Sequence, residues 1–121
     1  MADPPKILLV EDEVFLKLPI EEALIAAGFE CRYASSLDDG LNILRTEHVS
    51  AAILDINVRG VAVFSLAREV RAQGAQCVFT TGYTNAVIPP EFADAPYFQK
   101  PVDIDDVIAA VSRCVKDIDH S

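Results

Sequence analysis

The chain has 121 residues, room for one domain and little more, and its 51% hydrophobic content supplies a core that needs no disulfide. Its 19 Asp and Glu against 10 Lys and Arg leave a formal net charge of −9, which repels the nucleic-acid phosphate backbone over most of the surface. The three cysteines, Cys31, Cys77 and Cys114, are odd in number and set among apolar residues, so they are expected as buried free thiols of a reducing compartment, the cytoplasm.

MADPPK, at the N-terminus, lacks the basic region and apolar stretch of an export signal, and no run in the chain approaches membrane-spanning length. The first strand is KILLV (6–10). Residues 14–27 read as a helix that stops at Gly28, with Pro19 inside it expected to kink it or delay its start. ECRYA (30–34) is a mixed strand suited to a sheet edge. A helix from 37 to 46 has Ser36 as N-cap and Asp39 three residues on, a capping-box pattern. AAIL (51–54) is apolar on consecutive residues, as KILLV is, so both of its faces should be covered. A third helix, 63–73, ends at Gly74, and CVFT (77–80) is another run apolar on both faces. In GYTNAVIPPEFADAP (82–96), Pro89 and Pro90 forbid a long regular helix and leave one or two turns at most. YFQ (97–99) suits the second edge. Asp103 then caps the last helix, in which Ile104, Val107, Ile108, Val111, Val115 and Ile118 trace one face at helical spacing. Residues 1–5 and 117–121 are tails of a single domain spanning 1–121. Arg68 and Arg71 form no stripe and read as a solvated helix face, while His48 and His120 have no metal-ligand spacing.

Five strands alternating with helices make a doubly wound α/β fold with helices on both faces of a parallel sheet. The length favours the flavodoxin-like strand order 2-1-3-4-5. Ligands of such sheets bind beyond the carboxyl ends of the strands, near the reversal of winding. Those ends carry Glu11, Asp12 and Glu13 after the first strand, Asp55 after the third, Thr80, Thr81 and Gly82 after the fourth, and Lys100 and Pro101 after the fifth. The order places Asp55 centrally, with the acids on one side and Thr81 and Lys100 on the other. Crowded carboxylates repel one another and need a cation or a proton, and a hard ion such as Mg²⁺ suits oxygen ligands. Lys100 adds a positive charge and Thr81 a hydroxyl donor. The set is a site for a phosphoryl group beside a carboxylate able to attack phosphorus, with Asp55 as the acceptor.

LLVEDE, AILDIN, FTTGY and YFQKP, in that order and spacing, resemble the receiver domain of bacterial two-component response regulators over nearly the whole chain. The resemblance implies Mg²⁺ at Glu11, Asp12, Asp55 and the backbone carbonyl of Asn57. It implies phosphoryl transfer to Asp55 from a sensor histidine kinase or a histidine phosphotransfer protein. Thr81 and Lys100 would act at the phosphoryl group, Thr81 and Tyr97 would form the switch, and the Lys100–Pro101 bond would be cis. It further implies a cytoplasmic signalling protein that is no turnover enzyme, catalyses its own phosphorylation and slow dephosphorylation, and presents a switched surface to a downstream protein without nucleic-acid or membrane contact. Nothing after the last helix suggests an output domain, unless the chain was excised from a longer one.

The sequence departs from the family in three places. Receivers usually carry proline four residues after the acceptor and an Asp-Gly or similar pair a little later, where this chain has Arg59 and Ala62-Val63. Arg59 is therefore expected beside the phosphoryl group, where it would alter the lifetime of the adduct. Pro19 touches the face where receivers usually meet kinases, and Pro89 and Pro90 shorten the fourth helix. Two other functions remain open on the residues: a phosphorylation-independent docking module, and a Mg²⁺-dependent aspartyl phosphohydrolase, which normally places its nucleophile after the first strand. A flavin site is disfavoured, because EDE replaces the neutral loop that a flavin phosphate needs.

Overall fold

The computed structural model describes residues 3–83 and 86–119, with the side chains of 117–119 outside the description. His120, the Ile118 side chain, residues 84–85 of the 82–96 segment and the ends of both tails lie outside the described residues.

Five strands form one parallel sheet: β1 (Lys6–Val10), β2 (Glu30–Ala34), β3 (Ala51–Asp55), β6 (Gln76–Thr81) and β7 (Tyr97–Gln99). Their order is β2-β1-β3-β6-β7, the expected flavodoxin-like arrangement with the two mixed strands at the edges. The consecutive apolar residues of β1 and β3 divide between two cores. Leu8, Val10, Ala52 and Leu54 face the layer of α2 (Leu37–Thr46) and α3 (Phe64–Ala72). Ile7, Leu9, Ala51 and Ile53 face α1 (Val14–Ala26) and α4 (Ile104–Asp119). Side chains alternate across a strand, so only a strand covered on both faces can be apolar at every position. All of β3 is buried, including its terminal Asp55.

The helix ends follow local chemistry. The Ser36 hydroxyl accepts from the Asp39 N–H at 3.2 Å, and Asp103 Oδ1 accepts from the N–H groups of Asp105 and Asp106 at 3.0 and 3.4 Å. In α4 the expected stripe is buried at Val107, Val111 and Val115. Gly28 and Gly74 take φ of +94° and +86°, the left-handed conformation that ends a helix.

The structure corrects three expectations and adds one element. Pro19 does not delay the start of α1, which begins at Val14 and continues to Ala26. Pro19 lies within the helix, and the full burial of Ile20 and Leu24, one and five residues after it, holds the second half in place. Cys77 and Cys114 are buried and outside any disulfide, but Cys31 on the edge strand is only half-buried. Burial raises the Cys31 thiol to about 11 and the Cys77 thiol to about 12, so both stay protonated near neutrality. Residues after β3 form a small antiparallel hairpin, β4 (Asn57–Val58) and β5 (Val61–Ala62), absent from the sequence reading.

The third correction concerns Arg68 and Arg71, which are not simply solvated. Among the described residues, the β6–β7 connection holds only a 3-10 turn, Pro90–Phe92, and the two arginines of α3 grip it. Arg68 pairs with Glu91 at 2.6 Å, while Arg71 bonds the Glu91 carbonyl, reaches Asp94 at 3.3 Å and lies 4.3 Å over the Phe92 ring. Phe92 is 1% exposed and meets Phe79 edge-on at 5.4 Å and Phe64 at 5.9 Å. This irregular segment is thus anchored by an aromatic side chain in the main core. Phe92→Ala should lower stability by about 3–5 kcal/mol in urea unfolding, the cost of emptying a large aromatic site that cannot collapse. A loss below about 1 kcal/mol would mean that the turn is not fastened through Phe92.

Candidate functional site

The carboxyl ends of β1, β3, β6 and β7 lie side by side, and the residues singled out in the sequence come together there. Lys100, one residue beyond β7, is the link. Its N–H donates to the Thr81 carbonyl at 2.7 Å, which fixes its backbone beside the end of β6. Its ammonium reaches Asp55 Oδ2 at 2.9 Å, Glu13 Oε1 at 3.0 Å and Glu11 Oε1 at 3.1 Å. The following Lys100–Pro101 bond is cis.

Glu11, at 1% exposure, is the most buried of these acids. Burial and the charge of Asp55 push its carboxyl up to about 7, against the opposing pull of the Glu13 N–H and of Lys100. Burial alone would lower Lys100, but its hydrogen bonds to Asp55 and Glu13 and the negative charge around it hold the ammonium above its ordinary range. Asp55 is also engaged at its second oxygen, where Oδ1 accepts from the Asn57 N–H at 3.2 Å.

Oxygens of Glu11, Asp12, Glu13 and Asp55 all lie within 4.8 Å of one another. They form a donor set of hard carboxylate oxygens with no sulfur or nitrogen, and the single Lys100 cannot neutralise four acids. Such a set fits Mg²⁺, which takes a few carboxylates and completes its shell with water or phosphate oxygen. Asn57, the remaining expected ligand, opens the hairpin and is tied to Asp55 through its own N–H.

The hairpin turns through Arg59 and Gly60, whose φ values of +52° and +80° match the two positive values of a type I′ turn. The Arg59 N–H donates to Asp12 Oδ2 at 2.9 Å, whereas its guanidinium bonds the Ser35 carbonyl at 2.9 Å. The backbone of Arg59, rather than its charge, reaches the acid cluster. Thr81 is fully buried and its hydroxyl accepts from the Tyr83 N–H at 3.1 Å, while Tyr97 is 37% exposed at the start of β7. Sequence reasoning left two participants without a role. Glu13 was one acid among three until its contact with Lys100 was known, and Tyr33 on β2 donates its hydroxyl to the Glu11 carbonyl at 2.6 Å. Neither pairing has a local sequence signal, because each joins residues far apart in the chain.

Solved structures that share this fold include receiver domains. A CheY-like response regulator receiver domain protein of Methanospirillum hungatei matches with a TM-score of 0.83 at 22% identity, covering 97% of this chain and 98% of that one. A response regulator receiver protein of Sinorhizobium medicae matches with a TM-score of 0.82 at 24% identity, covering 96% and 98%. The fold is the response-regulator receiver fold. The curated relatives that match the receiver fold's sequence here are response regulators as well. The Escherichia coli aerobic respiration control protein ArcA is 32% identical over 101 residues, 80% of this chain and 42% of its own length. The acid tolerance regulatory protein ActR of Rhizobium meliloti is 26% identical over 110 residues, 87% of this chain and 57% of its own. The chain thus spans about half the length of these relatives. No protein-family model matches it.

The raised Glu11 carboxyl makes a signed prediction. Its folded value lies above its unfolded one, so the stability it contributes is complete below about 4.5 and is lost as pH rises through about 7. In EDTA, Glu11→Gln should therefore be more stable than wild type at pH 8, by on the order of 3 kcal/mol, with the advantage shrinking towards pH 4. Urea midpoints at both pH values check this. A difference that does not change with pH would refute it.

Proposed function

We propose that the chain is a phosphoacceptor receiver domain over residues 1–121, in which Asp55 takes a phosphoryl group from the phosphohistidine of a sensor histidine kinase or a histidine phosphotransfer protein. The observation that carries this reading is a nearly buried Asp55, 5% exposed, with Lys100 on one oxygen at 2.9 Å and three further acids beside it. A carboxylate in that position is central in the sheet and met by a donor on each of its oxygens.

In the transfer, an Asp55 oxygen forms the new O–P bond as the P–N bond to the donor imidazole breaks. The bonding pair stays on the imidazole nitrogen, which takes up a proton. Mg²⁺ held by Glu11, Asp12, Asp55 and the Asn57 carbonyl would supply positive charge for the phosphoryl oxygens. Lys100 shifts its ammonium from the carboxylate to a phosphoryl oxygen, and the Thr81 hydroxyl turns from its contact with Tyr83 to donate to another.

The adduct adds a charge of about −1.5 to −2 at the end of β3. Thr81 moving towards it leaves space that Tyr97 can enter, and the surface around β7 and its neighbouring helices changes for a downstream protein. Sustained turnover of other phosphate esters is not part of this function, and its setting is cytoplasmic signalling.

Intact mass after incubation with a small phosphodonor and Mg²⁺ tests the reading. One phosphoryl adduct should form, disappear in EDTA and be lost in Asp55→Ala, and Lys100→Gln should slow its formation roughly 10²-fold. No adduct, with histidine kinases also tried as donors, would overturn phosphotransfer in favour of a phosphorylation-independent docking module.

A further inference from the structure

Arg59 is exposed, takes a conformation that a non-glycine side chain disfavours, and joins two loops that the sequence separates. Its φ of +52° aims its N–H at Asp12 Oδ2, 2.9 Å away, at the end of β1. Its guanidinium extends the other way, bonding the Ser35 carbonyl at 2.9 Å and lying 3.5 Å from the Ser35 hydroxyl, just beyond the end of β2. A non-glycine residue in the left-handed region costs about 1–2 kcal/mol relative to the right-handed one, so surrounding contacts must hold it there. Val58 and Val63 are buried and secure the base of the hairpin, whereas Arg59, Gly60, Val61 and Ala62 at its tip are exposed. The fastening of the tip therefore falls on Arg59. Proline, the usual residue of receivers at this position, has no N–H and a φ near −65°, so it could make neither the bond to Asp12 nor this turn.

We propose that Arg59 is a positioning residue for the divalent-cation site. Its guanidinium, anchored on Ser35, holds the Arg59–Gly60 turn so that its own N–H orients Asp12, and the strength of cation binding depends on that anchor. The inference rests on the proposed role of Asp12 as a cation ligand. A donor that fixes one carboxylate oxygen limits the orientations open to the whole carboxylate, and partners of this kind typically change metal affinity about 10- to 100-fold.

The test is a titration of the folded protein with Mg²⁺ alone, followed through backbone amide resonances, in wild type, Arg59→Ala, Arg59→Gly and Arg59→Lys. Well-dispersed spectra establish that each variant is folded. Arg59→Ala and Arg59→Gly should bind Mg²⁺ about 10-fold more weakly than wild type, and Arg59→Lys, which keeps a donor for the Ser35 carbonyl, should recover most of the loss. Glycine separates the anchor from simple conformational preference, since it adopts φ near +52° freely. Wild-type affinity in Arg59→Gly would overturn the inference, as would a lysine variant no better than alanine. No saturable response in wild type would instead remove the cation site itself and the reading on which the inference rests.

Discussion

A single ammonium ties together the strand ends at which the candidate site lies. Lys100 contacts Glu11, Glu13 and Asp55, so it joins the ends of β1 and β3 to the strand that precedes it. Four acids lie within 4.8 Å of one another, and like charges at that range repel, the buried Glu11 and Asp55 more strongly than the solvent-screened Asp12 and Glu13. One lysine offsets only part of that repulsion. Burial, and after it the charge of Asp55, raises the Glu11 carboxyl and so favours its protonated form. The same excess of carboxylate oxygens is what suits the cluster to a hard cation.

The sheet makes this concentration of charge possible. β3 is buried along its length, and its neighbours in the ladder align Asp55 with Thr80 on β6. A carboxylate there loses hydration, and it is compensated by Lys100 on one oxygen and the Asn57 N–H on the other. The hairpin that follows extends the same logic to Asp12, which receives the Arg59 N–H. Each acid that is drawn into the cluster is thus met by a donor from an element that arrives later in the chain.

The connection from β6 to β7 solves a different problem. Paired prolines remove two backbone donors, so the segment cannot be stabilised as a helix of its own. Burial of Phe92 between Phe64 and Phe79, with Arg68 and Arg71 gripping Glu91 and Asp94, replaces helical hydrogen bonding by tertiary contact. That contact settles the course of the chain into β7 and hence the placement of Lys100.

Much of this was legible in the sequence because it depends on local order. Apolar runs of consecutive residues at 6–10 and 51–54 specified strands covered on both faces, Ser36 and Asp103 marked helix starts, and the strand order then brought Glu11, Asp12, Asp55, Thr81 and Lys100 to one end. Three features were not legible. The Arg59–Gly60 turn has no proline or Asn-Gly signal, the grip of α3 on the Pro90–Phe92 turn joins residues about 20 positions apart, and the Glu13–Lys100 pair spans most of the chain. The sequence by itself determined the fold class and the chemical types gathered at the strand ends, since periodicity and spacing encode both. Tertiary structure alone decided which carboxylate each donor meets, because hydrogen-bond partners are chosen by proximity in space, to which chain separation is no guide.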